Sequence, residues 1–293
     1  MNKLEYLDKL TLTVVAEDSV LYESPYWGQH GVSFFLESSK NNVKKNILVD
    51  VGQNHEALMH NMKLLNINPE IIDLIVLTHC HYDHTQGIVE LLRVIGKRNL
   101  PVIAHSSIFR LNFIDNPYLR HVGVMQADSR EKIEENGGTV YLTSDPLQIM
   151  PGLMTIGEVR RQTNFEEVGI SLKTITEDYK IKEDTMKDDI SLIANLKDKG
   201  MVIISGCSHA GIVNIVKQSI EIMGLKRIKA IIGGLHLVEA PMERIEKTAE
   251  ALSKFDISLI SAGHCTGFKA QVALYNIFKE KFLPLHTGMK FEF

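Results

Sequence analysis

Apolar residues recur along the chain in short runs rich in Val and Ile, and these runs predict β-strands. Many of the runs are bounded by Gly, Asn or Asp, which is typical of strands that end in turns. The predicted strands are 10–16, 32–37, 46–51, 71–78, 100–105, 138–143, 168–175, 189–196, 201–206, 228–233 and 257–263.

Between some of these strands the apolar positions repeat at helical spacing. Asn54 can cap a helix that carries Leu58, Met62 and Leu65 on one face. The same period predicts further helices at 84–95, 211–223 and 241–255. Strands in clusters with interspersed helices favour a layered α/β fold.

The region from about 106 to 162 is less regular. It holds the turn signals DNP, NGG, SDP and MPG and a polar helical patch, DSREKIEENGG. We interpret it as an insertion that forms one wall of a site. The chain shows no internal repeat, low-complexity tract or linker, so we expect a single domain over residues 1–293.

Composition narrows the class of protein. The chain has 293 residues, 44% of them hydrophobic and 23% charged, which is typical of a soluble globular protein. A net charge of −4 without a Lys/Arg cluster argues against nucleic acid as a partner. The stretch MNKLEYLDKL lacks the apolar core of a signal peptide, and no run approaches the roughly 18 apolar residues of a membrane span. We therefore expect a cytoplasmic protein with no membrane contact.

The stretch THCHYDH, residues 78–84, places three histidines and an aspartate directly after a predicted buried strand. His79 and His81 point the same way in an extended segment and can reach one ion together. Asp83 and His84 lie at the following turn and can serve a second ion beside it. Imidazole suits Zn, Fe, Ni and Cu, whereas carboxylate also suits Mn and Mg. The spacing predicts two divalent metal ions, with Zn the first choice and Fe, Mn or Mg as alternatives.

THCHYDH resembles the H-x-H-x-D-H motif of the metallo-β-lactamase superfamily. ILVDVG, with Asp50, is similar to that superfamily's first motif, and AGHCTG, with His264, is similar to its final motif. The resemblance implies an αββα four-layer sandwich with metals at one edge. It also implies that Asp50 supports the metal-binding loop and that His264 is a ligand of the second metal.

Four stretches resemble one subgroup of the superfamily: SGCSHAGIVN (205–214), GGLHL (233–237), HCTG (264–267) and GEVRRQTNFE (157–166). This subgroup includes the archaeal dihydropterin ribofuranosyl-aminobenzene phosphate synthase and many metal-dependent hydrolases.

The chain departs from the wider superfamily in the third motif, because no histidine lies between His121 and His209. His209 is therefore the candidate third ligand of the first metal. Cys207 stands where the superfamily has a bridging aspartate, and either a thiolate bridge or a buried structural cysteine fits it. Asp188 and Asp189 are either ligands or the solvated start of a strand.

Two further residues are candidates for substrate contact. His236 follows a predicted central strand and can ligate a metal, donate a proton to a leaving group, bind substrate, or simply pack in the core. Arg161 matches the arginine of the subgroup's G-E-x-x-R stretch and can hold an anionic group, with a surface pair at Arg160 as the alternative reading. His30 is expected near the rim of the site.

The leading hypothesis is a dinuclear metal-dependent hydrolase. A metal-bound hydroxide would attack an ester, phosphoester or pyrophosphate-linked metabolite, a small and anionic substrate. Asp83 and His236 are the candidate catalytic residues, and Arg161 and His236 the candidate substrate-binding residues. The candidate metal ligands are His79, His81, Asp83, His84, His209 and His264.

Two alternatives remain open. One is a synthase resembling the subgroup's named member, which transfers a pterin-methyl group with loss of pyrophosphate. The other is a non-catalytic sensor with a mainly structural metal site, against which the retained Asp83 weighs, because a structural site is usually closed by four ligands. The sequence leaves the oligomeric state open.

Overall fold

The computed structural model describes residues 5–168, 170–176 and 178–293. Its strands are β1 (Lys9–Ala16), β2 (Ser33–Lys40), β3 (Val43–Val49), β4 (Leu74–Val76), β5 (Leu100–Ala104), β6 (Asn112–Ile114), β7 (Arg120–His121), β8 (Gly138–Leu142), β9 (Leu147–Met150), β10 (Leu153–Thr155), β11 (Lys173–Ile175), β12 (Ile181–Glu183), β13 (Ser191–Leu196), β14 (Gly200–Ser205), β15 (Arg227–Gly234), β16 (Asp256–Ile257), β17 (Ile260–Gly263), β18 (Phe282–Pro284) and β19 (Lys290–Glu292).

Its α-helices are α1 (His55–Leu64), α2 (Tyr82–Thr85), α3 (Ile88–Ile95), α4 (Arg130–Glu135), α5 (Ile212–Met223), α6 (Met242–Ser253) and α7 (Phe268–Phe278). Single turns of 3-10 helix lie at Pro69–Ile71, Gln126–Asp128, His264–Thr266 and Lys279–Lys281. None of these helices combines the length and apolarity needed to cross a bilayer.

Two large sheets stack face to face. The first has the order β19-β1-β2-β3-β4-β5-β8, and the second has the order β18-β17-β15-β14-β13-β10-β9 with β16 beside β15. Leu12 and Phe34 of the first sheet pack against Leu192 and Val202 of the second in one apolar layer. Many of the central strands are buried on both faces, which explains why their sequences are almost continuously apolar.

Helices cover the outer face of each sheet. Helices α1, α3 and α4 bury apolar residues such as Leu58 and Leu92 against the first sheet. Helices α5, α6 and α7 bury residues such as Ile215, Leu252 and Leu274 against the second. The order is helix, sheet, sheet, helix, so the αββα sandwich expected from the sequence is confirmed.

The helix predicted at 84–95 is broken into α2 and α3. The break falls at Gly87, whose φ of 90° lies in the left-handed region and which lies so close to His55 that a Cβ would come 3.1 Å from that residue's Cβ. A side chain at this position would be strained, so glycine ends the first helix. The metal-binding motif therefore has a short helix of its own.

The strands of the segment 106–162, which the sequence predicts to be an insertion, are divided among three sheets. Strand β8 extends the first sheet beside β5, and β9 and β10 extend the second sheet beside β13, because their apolar residues pair in register with those strands. What remains, β6 and β7, joins β11 and β12 in a small third sheet. Only β11 forms within the strand predicted at 168–175, where Gly169 lies outside the described residues.

The candidate residues follow the carboxyl ends of parallel strands. Strands β3 and β4 are parallel in the first sheet, and β14, β15 and β17 are parallel in the second. Segments that follow such ends lie at the same edge of a sheet, where ligands commonly bind. These segments carry Asp50, His79, His81, Asp83, His84, Cys207, His209, His236 and His264.

Candidate metal centre

The structure brings the six predicted ligands into one cluster. The ring of His79 has its centroid 4.8 Å from that of His81, 4.1 Å from that of His84 and 4.9 Å from that of His209. The centroid of the His264 ring lies 5.3 Å from that of His84. Histidines at such spacing, in a buried pocket, are typical of residues that share metal ions.

The ligand atoms form two groups that meet at Cys207. In the second donor group, Asp83, His84 and His264, one ligand atom of each residue lies within 4.8 Å of the others and of Cys207 Sγ. The first donor group is His79, His81 and His209. Ligand atoms of His79 and His209 also lie within 4.8 Å of Cys207 Sγ, and His209 Nε2 lies 3.1 Å from His81 Nδ1.

Carboxylates behind the second donor group fix the orientation of its imidazoles. His84 Nδ1 lies 2.7 Å from Asp50 Oδ2, and His264 Nδ1 lies 2.5 Å from Asp18 Oδ2. Because a carboxylate only accepts hydrogen bonds, each Nδ1 carries the proton and each Nε2 is left to face the cluster. Those two Nε2 atoms lie 3.3 and 3.2 Å from Asp83 Oδ2.

Neutral polar groups fix the orientation of the imidazoles in the first donor group. His81 Nε2 lies 3.2 Å from Asn112 Oδ1, and His79 Nδ1 lies 3.0 Å from Thr78 Oγ1. His79 Nε2 and His209 Nδ1 are buried and have no hydrogen-bond partner among the described residues. Buried nitrogens without partners, beside thiol and carboxylate ligands, fit first-row divalent metal ions.

The first donor group is held neutral, the form in which imidazole binds a metal. Burial lowers the pKa of His79 and that of His209 well below the ordinary value, and the neighbouring histidines lower both further. Burial likewise lowers the pKa of His81 to about 4. These rings therefore present lone pairs at neutral pH.

The second donor group is charged in the metal-free protein. Burial lowers the pKa of His84, but attraction to Asp83 and Asp50 outweighs it and raises that pKa to about 9. Burial raises the pKa of Asp83, but His84 and His264 outweigh it and hold that pKa well below its usual range. The two shifts have one cause, the attraction between the buried carboxylates and the imidazoles beside them.

Asp188 and Asp189 support the ligand-bearing loops. Both are fully buried, so the reading of a solvated strand start is wrong. Asp188 Oδ2 accepts the backbone N–H of Cys80 at 2.7 Å, and Asp189 Oδ2 accepts that of Ala210 at 2.7 Å. Arg110 Nη2 lies 2.7 Å from Asp188 Oδ1 and pairs with it. The two aspartates thereby tie together the loops of the two sheets.

The loop that carries Cys207 and His209 fits tightly between its neighbours. A Cβ on Gly206 would lie 2.2 Å from Thr78 Oγ1, so only glycine allows this approach. Ser208 has a φ of 62°, and its hydroxyl donates to the Gly234 carbonyl at 2.7 Å. The position of both ligand side chains is thus set by packing.

Arg161 holds this loop from outside. Its Nη1 donates to the carbonyl of His209 at 2.6 Å and its Nη2 donates to that of Thr185 at 2.6 Å. It does not line the cavity beside the cluster. The neighbouring Arg160 forms the surface pair, with Glu221. In this structure the guanidinium of Arg161 binds main-chain carbonyls, whereas the sequence predicted that it binds a substrate.

A cavity of about 450 Å³ opens beside the cluster. Ile114, Val122 and Leu172, from β6, β7 and β11 or beside them, form an apolar wall, and Arg120 lies at its exposed edge. His30 lines the same cavity, as its predicted place at the rim implies. Its size is in the range of sites for small molecules.

His236 lies between the cavity and the first donor group. Its ring centroid is 3.9 Å from that of His209, and its φ of 45° lies in the left-handed region. Its Nδ1 is buried and lacks a hydrogen-bond partner within the described part of the chain. Because His236 itself lines the cavity, its ring can contact a molecule bound there.

Sequence reasoning missed three supporting residues: Asp18, Asn112 and Glu17. Asp18 and Asn112 orient His264 and His81, and Glu17 accepts the backbone N–H of His264. Burial raises the pKa of Glu17 to about 7. None of the three belongs to a motif, and the only signal was an acidic pair, Glu17 and Asp18, directly after a predicted strand.

Comparisons with known proteins agree with this geometry. A model of the beta-lactamase superfamily domain matches residues 45–147. The 7,8-dihydropterin-6-methyl-4-(beta-D-ribofuranosyl)-aminobenzene-5'-phosphate synthase of Methanocaldococcus jannaschii is 42% identical over 289 residues, 98% of each chain. An uncharacterised protein of the same organism is 32% identical over 274 residues, 92% of this chain and 96% of its own.

The fold has a counterpart among solved structures. The crystal structure of a metal-dependent hydrolase of the beta-lactamase superfamily superposes with a TM-score of 0.81 at 22% identity, covering 97% of this chain and 99% of that one. At this identity the likeness shows the fold alone. The full-length relationship to the synthase shows more: this chain belongs to the metallo-β-lactamase superfamily, in the family of the M. jannaschii enzyme.

Proposed function

We propose that this chain is a dinuclear metal enzyme that transfers a dihydropterin-methyl group from its diphosphate to an arylamine. The observation that carries the proposal is the 42% identity to the M. jannaschii synthase over 98% of both chains. The amine nitrogen would form a bond to the methylene carbon while the bond from that carbon to the diphosphate oxygen breaks. Diphosphate leaves with the electron pair, and the amine loses one proton.

The metals would be held by the two donor groups, with Cys207 between them. Divalent ions bound there supply positive charge that stabilises a leaving diphosphate. Nitrogen, thiol and carboxylate ligands together favour Zn, with Fe as the nearest alternative. The buried, unpartnered nitrogens of His79 and His209 support this assignment.

We assign to His236 the role of accepting the proton. Its Nδ1 is free of partners and its ring contacts that of His209 at the cavity floor. The imidazole of a residue that lines the cavity can accept the proton that the amine loses. Asp83, 95% buried, lies between His84 and His264 and keeps both rings facing the reacting end of the cavity.

The cavity wall supports a flat organic substrate with a charged end. Ile114, Val122 and Leu172 offer an apolar surface to a ring. Arg120 lies at the edge of that surface, where it can pair with a phosphate outside the metal centre. Arg120 thus takes the substrate-binding role that the sequence suggested for Arg161.

Hydrolysis is the second candidate, and the place of Asp83 favours it. Its carboxylate lies 3.3 and 3.2 Å from Nε2 of His84 and of His264 and 3.5 Å from His30 Nε2, in a residue that lines the cavity. A carboxylate there can orient a water as well as an amine. The substrate would then be an ester, a phosphoester or a pyrophosphate-linked metabolite.

One experiment separates the two candidates. Metal-loaded protein is incubated with the diphosphate of 6-hydroxymethyl-7,8-dihydropterin, with and without 4-(beta-D-ribofuranosyl)-aminobenzene 5'-phosphate, and products are followed by mass spectrometry. Transfer predicts diphosphate and coupled product in equal amounts, only when the amine is present. Hydrolysis predicts hydroxymethyl-dihydropterin in both samples.

The matched variants are His236→Gln and His286→Gln. His236→Gln is expected to keep its metals and lose turnover, whereas His286→Gln, away from the cavity, keeps both. Two bound metals without turnover on this substrate or on chromogenic phosphoesters would reject both candidates and leave the metal-binding sensor.

A further inference from the structure

Two thiols lie side by side at the floor of the cavity. Ligand atoms of Cys207, His236 and Cys265 all lie within 4.8 Å of one another. The Cys265 thiol points at the Cys207 carbonyl, with Sγ 3.5 Å from the oxygen. The role of Cys207 between the donor groups does not account for the second thiol beside it.

Gly234 makes this arrangement possible. A Cβ built on Gly234 would lie 2.6 Å from Cys265 Sγ and 3.3 Å from the Cα of Cys207. The space that a side chain would occupy is therefore filled by the Cys265 thiol. Any larger residue at this position would drive the two cysteines apart.

Both thiols line the cavity, so small molecules can reach them. Cys265 is partly exposed, whereas Cys207 is 3% exposed. Cys80 differs from both: it is fully buried in the apolar layer between the first sheet and its helices and does not line the cavity. The cavity thus exposes part of Cys265 with the buried Cys207 beside it, whereas Cys80 is enclosed away from the cavity.

We infer that Cys207 and Cys265 form a reversible disulfide when a peroxide enters the cavity. The Cys265 sulfur would attack a peroxide oxygen, breaking the O–O bond and leaving a sulfenic acid and water. The Cys207 sulfur then attacks that sulfenic sulfur, the S–S bond forms, and a second water leaves. The two cysteines lose two electrons and two protons, and the peroxide is reduced to two waters.

The positions of the sulfurs allow this bond. The two Sγ atoms lie no more than 4.8 Å apart. A disulfide needs an S–S distance of about 2.0 Å, so the sulfurs have to approach each other by at most about 2.8 Å. Because neither Cys207 nor Cys265 lies within a strand, this approach needs no change in the pairing of the sheet. The attack requires no partner from another chain.

Oxidation would act on the proposed metal centre. Cys207 Sγ now lies 3.2 Å from His84 Nε2, between the two donor groups. A sulfur bonded to Cys265 is no longer a thiolate and is a poor metal ligand. This consequence rests on the proposed metal centre, whereas the disulfide itself does not.

The test uses the metal-loaded full chain treated with hydrogen peroxide, without substrate. After unfolding, thiols are counted, the disulfide is mapped on peptides, and bound metal is measured before and after. We expect the three thiols of the chain to fall to one, with Cys207 joined to Cys265 and with bound metal reduced by at least half. A thiol reductant plus metal should restore both values.

Two variants act as controls. Cys80→Ser should form the same disulfide, and Cys265→Ser should form none. Three results in the unaltered chain would overturn the inference: three remaining thiols, a disulfide that includes Cys80, or a mass gain from added oxygen where the loss of two hydrogens is expected. These results are decisive even if Cys265→Ser does not fold. A disulfide without metal loss would overturn the effect on the centre. Since no substrate is present, these outcomes are independent of the transfer reaction.

Discussion

Asp50 and His84 form a fully buried pair in which Asp50 Oδ2 lies 2.7 Å from His84 Nδ1. The same carboxylate accepts the backbone N–H of Thr78 at 2.7 Å and its hydroxyl at 2.6 Å. Asp50 thus determines both the tautomer of one candidate ligand, His84, and the start of the loop that carries four of the candidates. Such outer partners commonly matter as much as the ligands.

Asp50→Asn is expected to weaken metal binding at the second donor group. The amide would offer an N–H to His84 Nδ1, which moves the ring proton to Nε2 and removes the lone pair that faces the cluster. The expected loss is about 10- to 100-fold in metal affinity. It can be measured by competition with a chromogenic chelator, with Asp256→Asn, at an exposed strand start, as the control. Equal affinities in both variants would show that Asp50 does not orient the ligand.

The two donor groups should respond differently to pH. The pKa of about 9 for His84 means that a metal ion has to displace a proton there at neutral pH. Affinity at the second donor group therefore falls as the pH drops through about 9. The first donor group is already neutral, since burial lowers the pKa of His81 to about 4 and lowers those of His79 and His209. Its affinity should stay nearly constant from about pH 9 down to about pH 6.

Calorimetric titration of metal-free protein with Zn²⁺ measures this difference. At pH 7, in buffers of different ionisation enthalpy, one class of site should release no ring proton and the other at least one. Equal proton release from both classes would contradict the assignment.

Gly206→Ala should remove metal as well as stability. The added methyl would lie 2.2 Å from Thr78 Oγ1 and 2.9 Å from Asp50 Oδ2, so the loop has to shift. Overpacking of this kind costs about 1–3 kcal/mol in the free energy of unfolding. Gly224→Ala is the control, since nothing lies within 4 Å of its added methyl and only its backbone is strained. Denaturant unfolding and metal content should separate them: both lose stability, but only Gly206→Ala loses metal.

Arg161→Lys is expected to lower metal content with little change in the substrate KM of the molecules that remain loaded. A lysine cannot reach the carbonyls of His209 and Thr185 at the same time, so the loop loses one of its two anchors. Metal content and steady-state kinetics on the same preparation provide the test. A raised KM with full metal content would instead show that Arg161 binds the substrate. Arg160→Lys, on the surface pair, is the matched control.

The motif residues could be predicted because they are contiguous. His79, His81, Asp83 and His84 stand within six positions, so the turn between β4 and α2 is enough to bring them together. Asp18 and Asn112 could not be found this way, since each is isolated in sequence and meets its histidine only through the tertiary fold. Arg161 shows the opposite failure: its stretch was noticed, but the contacts of a guanidinium cannot be inferred from a motif.

Strands could be predicted from the sequence where the run of apolar residues was long enough. Strands such as β13 and β14 are six residues of nearly continuous burial. Strands β6, β7 and β12 have two or three residues, too few for a period of two to be visible. Helix α7 was missed because Phe268, Val272, Tyr275 and Ile277 are apolar yet exposed, which hides its buried face.

The pairing of Asp18 with His264 links positions 246 residues apart in the sequence. At about 5–20 residues per second, a ribosome needs roughly 12 to 50 seconds to make the chain between them. For most of that interval the growing chain already carries His79, His81, Asp83 and His84, whereas His209 is made later and His264 last. An ion bound during that time would be held by an incomplete set of the proposed ligands. The proposed second donor group is complete only late in synthesis, when His264 reaches Asp18.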